Sequence, residues 1–259
     1  SSASPQPPAP ALTPSPAPAL ALGATQISPL DGMVLSYIPA GTFEMGSESG
    51  SPYEQPVHTV TLDAFWIDQT EVTNAMYARC MAAGVCNPQH NTSSYSRSSY
   101  YGDAAYADYP VIHVSWSDAS AYCAWARRQL PTEAQWEYAA RGGLADANYP
   151  WGDESPRCTL GAQNGAQYDD CSPDDTLPVA SFAPNGYGLY DMAGNVWEWV
   201  ADWYDAGYYR PSASKDPKGP KSGEGHVTRG GSWGNEPRSL RVSVRAMGMP
   251  TFRSSTGFR

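Results

Sequence analysis

The sequence predicts an α+β domain with short strands, few helices and long ordered loops. Three observations carry that expectation. Strand-like runs, Met33 to Ile38, Thr42 to Met45 and His58 to Ile67, are separated by polar breaks. Three helix starts are marked by capping residues, at Thr73, Ser117 and Thr132. From Arg141 to Pro178 the chain is rich in Gly, Asn, Asp and Pro, the chemistry of turns and loops. No internal repeat is present.

The elements follow in chain order. Residues 1–30 read as a Pro/Ala/Ser-rich N-terminal arm or linker. Seven Pro between Ser1 and Gly23 favour extended polyproline II, with Leu12, Leu20 and Leu22 as apolar contact points. Ser1 opens directly on this arm, which fits a chain whose leader or upstream region has been removed. Residues 31–259 form the domain, and roughly 230 residues bury a substantial core. Thr73 caps a helix running into Met76, Tyr77 and Met81. Ser117 is read as the cap of the helix holding Tyr122 and Trp125. Thr132-Glu-Ala-Gln135 has capping-box spacing and opens the helix of Trp136, Tyr138 and Ala139. The stretch Asn185–Trp203 then packs three Trp, two Tyr and three Gly into nineteen residues, a density unlike an ordinary helix or strand. Gly and Asn there supply positive-φ positions, and the indoles supply buried area.

Charge narrows the partners. The net charge is −10, and the three Lys all fall within Lys215 to Lys221. An acidic chain without a basic patch excludes nucleic acid and anionic membrane surfaces. No apolar run is long enough to span a bilayer. The five Cys divide by spacing. Cys80 and Cys86 flank a short segment at a helix end, and Cys158 and Cys171 flank a polar loop, so both pairs suit local disulfides. Cys123 lies in a helical stretch and is expected to be buried and free. Two bridges imply an oxidising compartment, extracellular or at the cell surface, with the periplasm as the alternative.

Several motifs in order resemble one family. Met33-Val-Leu-Ser-Tyr-Ile-Pro-Ala-Gly-Thr-Phe-Glu-Met-Gly-Ser47, Phe65-Trp-Ile-Asp-Gln-Thr-Glu-Val-Thr-Asn74, Leu130-Pro-Thr-Glu-Ala-Gln-Trp-Glu-Tyr-Ala-Ala-Arg141, Asn185–Trp203, Arg229-Gly-Gly-Ser-Trp233 and the closing Gly257-Phe-Arg259 are similar to the formylglycine-generating-enzyme (sulfatase-modifying factor) family. The resemblance covers roughly Asp31 to Arg259. It implies a C-type-lectin-like fold and structural calcium, one ion or two. The first set is Asp191 and Glu198 through side chains and Gly194 and Val196 through carbonyls, oxygen donors of the kind a hard cation takes. The second is Asn164 and the Gly165 carbonyl, completed by Asp169, Asp170, Asp174 or Asp175.

The resemblance also implies a reaction whose residues are not all found. Formylglycine-generating enzymes use two C-terminal Cys that bind copper(I), shortly after the Gly-Gly-Ser motif. This chain has Trp233-Gly-Asn-Glu-Pro-Arg-Ser-Leu240 there and no Cys after Cys171. Related iron-dependent enzymes use a His-rich motif, whereas His58, His90, His113 and His226 are scattered. Neither copper nor iron is expected on this reading, and the chain is expected not to be an enzyme. A binding or structural role on a calcium- and disulfide-held scaffold follows. Its partner would be a protein or glycan ligand, or copies of the chain joined through residues 1–23. The expected ligand surface is Trp233, Asn235, Glu236, Arg238, Met247, Met249, Thr251 and Phe252, where Met and aromatic groups among Arg make an adaptable contact. Arg241 and Arg245 alternate with Val242 and Val244, so one pair is expected to face out. The alternatives are a hypervariable ligand-binding protein of the same fold and a metal-dependent oxidase of the same family.

Overall fold

A computed structural model describes residues 20–89, 91–210, 212–249 and 255–259. The arm residues before Leu20, together with His90, Thr251 and Phe252, lie outside them. Nine strands and three α-helices follow in the described residues: β1 Thr25–Ile27, β2 Val34–Ile38, β3 Gly41–Met45, β4 His58–Leu62, β5 Phe65–Asp68, α1 Asn74–Ala82, α2 Trp116–Trp125, α3 Glu133–Arg141, β6 Trp197–Trp203, β7 His226–Arg229, β8 Arg245–Gly248 and β9 Thr256–Phe258. The α+β architecture with short strands and long loops is as the sequence predicts. β1 pairs antiparallel with β2, so residues 25–27 of the segment read as arm join a sheet.

The strands form three sheets. One has the order β1-β2-β5, the second is the β3-β4 ribbon, and the third runs β8-β7-β6-β9. In the third, β6 pairs antiparallel with β7 and parallel with β9. Trp199 packs in a core with Tyr77, Tyr122, Val114 and Phe258, whereas its neighbour Val200 packs in another with Ile38, Val60, Trp136 and Val227. Successive side chains of β6 thus fill two cores, one on each face. This corrects the expectation that Asn185–Trp203 suits neither helix nor strand. A strand paired on both edges and buried on both faces needs no alternation of apolar and polar residues.

The caps hold in two cases of three. Thr73 Oγ1 accepts from Met76 N–H, and Thr132 and Gln135 make a reciprocal capping box. The cap of α2 is Ser115, not Ser117. Ser115 and Asp118 bond each other's backbone amides across the required three residues, and nothing equivalent lies three residues beyond Ser117. Cys80–Cys86 and Cys158–Cys171 are disulfides, and Cys123 is free and buried. No helix among the described residues is long and apolar enough to cross a membrane.

Candidate functional site

The turn leading into β6 is forced by its backbone. Asp191, Gly194 and Asn195 have φ of 56°, 82° and 59°. At Gly194 a Cβ would stand 2.2 Å from the Gln167 carbonyl oxygen, so only Gly fits. Asp191 Oδ2 accepts from Ala180 N–H at 2.6 Å. Glu71, which the sequence reading did not single out, lies under the turn and accepts from Asn195 Nδ2 at 2.7 Å and Val196 N–H at 3.2 Å. Desolvation, with the charges of Asp191 and Glu198, holds the Glu71 carboxyl well above its usual range. Desolvation likewise brings Asp191 to about 6.

Glu198 has other partners. Its carboxylate accepts from Trp136 Nε1 and Arg259 Nε, each at 2.7 Å, and from a second Arg259 nitrogen. The turn thus brings Asp191, Gly194 and Val196 together, while the Glu198 side chain is engaged by an arginine. In the loop after Cys158, Asn164 Nδ2 donates to Ser155 O at 3.1 Å. Asp175, one of the acids that would complete that set, is fully buried and accepts from Ser94, Ser96 and Thr176. Among the described residues, no group of three or more His, Cys, Asp and Glu side chains is arranged to hold a metal ion.

The expected ligand surface is partly assembled. Trp233 is buried under the exposed ring of Tyr95, with centroids 4.9 Å apart, and its Nε1 has no hydrogen-bond partner. Its backbone N–H donates to Asn195 O at 2.9 Å, which ties the surface to the turn below. Asn235 Oδ1 accepts from the amide and hydroxyl of Ser232. Glu236 and Arg238 form an exposed ion pair. Met247 and Met249 are exposed at the end of β8, the edge strand. Arg241 and Arg245 do not both face out, however. Arg245 is buried and binds both oxygens of Glu133 at 2.7 Å, and Arg241 pairs with Glu54. A buried carboxylate at the start of α3 needs a cation within reach, and that demand overrides strand alternation.

Among the described residues, the paired Cys and the imidazole groups have other partners. Four Cys are oxidised, and burial pushes the Cys123 thiol far above its ordinary range. His58 stacks on Tyr209. His113 Nε2 lies 3.1 Å from Ser93 O. His226 is stacked between Trp116 and Trp203, at 3.7 and 3.8 Å.

Known proteins resemble nearly the whole chain. Formylglycine-generating enzyme of Streptomyces coelicolor is 39% identical, over 86% of this chain and 87% of that protein. The enzyme of that name from Thermomonospora curvata is 38% identical, over 86% and 91%. The solved structure of PvdO from Pseudomonas aeruginosa has a TM-score of 0.77 and 29% identity, covering 93% of this chain and 98% of that one. These enzyme names overturn the expectation that the chain is not an enzyme. That expectation rested on the missing Cys pair and the scattered His, which bear on copper-thiolate and His-bound iron chemistry and do not reach a reaction carried on other groups. Residues 21–259 match the family described as Sulfatase-modifying factor enzyme 1-like domain, and the chain belongs to it.

Proposed function

We propose that this chain is an extracytoplasmic enzyme that introduces a carbonyl group into a side chain of an extended polypeptide. The observation that carries the reading is the 39% identity to a formylglycine-generating enzyme over 86% of one chain and 87% of the other. Two local disulfides support a location outside the cytoplasm. The exposed Tyr95, seated on the buried Trp233, and the exposed Glu236–Arg238 pair supply the polypeptide contact, an aromatic and polar surface. No Cys follows Cys171 in the sequence, so this reading assigns the reaction to groups other than a C-terminal thiolate pair. Calcium at the Asp191–Val196 turn belongs to the same reading. Its support is the Asp191 carboxylate on a turn of positive-φ residues, beside the oxygen donors the family resemblance implies.

The test is carbonyl capture. The intact chain is incubated in air with Cys-containing and Ser-containing peptides, with copper, with iron and without metal. Products are trapped with a hydrazide and located by mass spectrometry. The reading expects an enzyme-dependent carbonyl on one peptide class, reduced in Trp233→Ala. Peptides recovered unchanged under every condition would overturn it.

A further inference from the structure

A cavity of about 830 Å³ lies between the β1-β2-β5 sheet and the connection from α2 to α3, away from the surface described above. That volume falls within the range of small-molecule sites. Leu35, Leu62, Phe65, Ile67 and Leu130 give it apolar walls, and Asp68, at the end of β5, lines it. Asp68 is 3% exposed, and its Oδ2 has no hydrogen-bond partner. Its Oδ1 lies 3.0 Å from Arg128 Nε, close enough for an ion pair but poorly aligned for a hydrogen bond.

The neighbouring cations are already occupied. Arg128 directs its terminal nitrogens at Asp31, at 3.3 and 2.5 Å. Arg259 is held by Glu198. One guanidinium thus serves two carboxylates, Asp31 and Asp68. Leaving a buried carboxylate oxygen without a partner is unfavourable. Desolvation accordingly brings Asp68 up to about 7.

We propose that this cavity binds a primary ammonium group carried on an apolar body, with the ammonium directed at Asp68 and the body along the leucine and phenylalanine walls. An ammonium brings three donors to a site that lacks one. Oδ2 is enclosed and without a hydrogen-bond partner among the described residues, so the ammonium would reach it with rotation of the carboxyl about its soft terminal torsion. Arg127 and Lys218 stand at the rim, but both are exposed and screened by salt. An anion drawn in by them would face Asp68, with the lining Arg128 and Arg259 already held by Asp31 and Glu198. A lysine side chain of a polypeptide and a free alkylamine share the required chemistry. The inference rests on no part of the proposed reaction.

Ligand-observed NMR on the intact chain tests it, with hexylamine, hexanol and hexanoate as probes. Hexylamine is expected to bind saturably and about tenfold tighter than the other two, the scale of one charge-assisted hydrogen bond. Asp68→Asn removes that preference. At the rim, where Ile27 is 71% exposed, Ile27→Arg weakens hexylamine binding and Ile27→Glu strengthens it, with the fold untouched. Nα-acetyl-lysine methylamide binding as well as hexylamine assigns the ligand to polypeptides, and its exclusion assigns it to free amines. Hexanoate binding as tightly as hexylamine, an unchanged preference in Asp68→Asn, or no saturation by hexylamine overturns the proposal.

Discussion

Arg259 donates from two nitrogens to the two carboxylate oxygens of Glu198, and both side chains are fully enclosed. The contact spans 61 residues of sequence. It pins β9 beside the central strand β6, where the two run parallel. Arg259 also donates to Tyr190 O at 3.0 Å, just before the turn of Asp191. The end of the chain is therefore part of the frame that shapes this turn.

Removing one member of that pair leaves the other charged and buried. Arg259→Ala is expected to cost about 3–5 kcal/mol, read as a lower urea midpoint. Arg259→Met with Glu198→Gln, which removes both charges, should recover much of the loss. A single variant as stable as the parent would contradict the pairing.

Asp202 sets a pH dependence of stability. Desolvation, with the charge of Glu133, brings its carboxyl to about 7 in the folded chain, against an ordinary value of 3.8. Between those values the folded state holds a proton that the unfolded state lacks, so stability falls as pH rises from about 4 to about 7. Asp202→Asn keeps an acceptor for the Glu133 amide, now 2.8 Å from Asp202 Oδ2, and removes the charge. The variant is expected to be more stable than the parent at pH 8, by on the order of a few kcal/mol, with a flatter profile between pH 4 and 7. Equilibrium denaturation at a series of pH values measures this.

The Cys158–Cys171 bridge closes a loop in a long region without regular structure, with a sequence separation of 13. Chain entropy puts its contribution at about 3 kcal/mol. Replacing both Cys by Ala should lower the unfolding free energy by about that amount, read from equilibrium denaturation.

Gly194 and calcium are tested together at the turn. Gly194→Ala places a Cβ 2.2 Å from the Gln167 carbonyl at a φ of 82°, and is expected to destabilise by about 2 kcal/mol or more. Calcium is expected to raise the thermal midpoint of the parent, a chelator to reverse it, and Asp191→Asn to remove the response. A parent indifferent to calcium would remove the ion from the account.

What could be read from the sequence is what acts locally. Thr73 and Thr132 were visible as caps because cap and partner lie three residues apart, as were the two disulfides across short loops. Ser115 was missed in favour of Ser117, although Ser115-Trp-Ser-Asp118 carries the same spacing. β6 was hidden because its pairing comes from β7 and β9, far along the chain. Glu71 was missed for the same reason, since its contact with Asn195 spans 124 residues. No local signal singled it out, since Glu71 follows Asp68, Gln69 and Thr70 in a polar stretch.

The central claim is enzymatic carbonyl formation without a thiol. Cys123 is the one Cys outside a disulfide, and it is buried. The most direct measurement is therefore carbonyl yield on a peptide substrate, by hydrazide capture and mass spectrometry, for the parent beside Cys123→Ala. Equal yields from the two are the predicted result. A carbonyl formed by the parent and lost in Cys123→Ala, with the variant folded, would place a thiol in the chemistry, and no carbonyl from either would remove the reaction altogether.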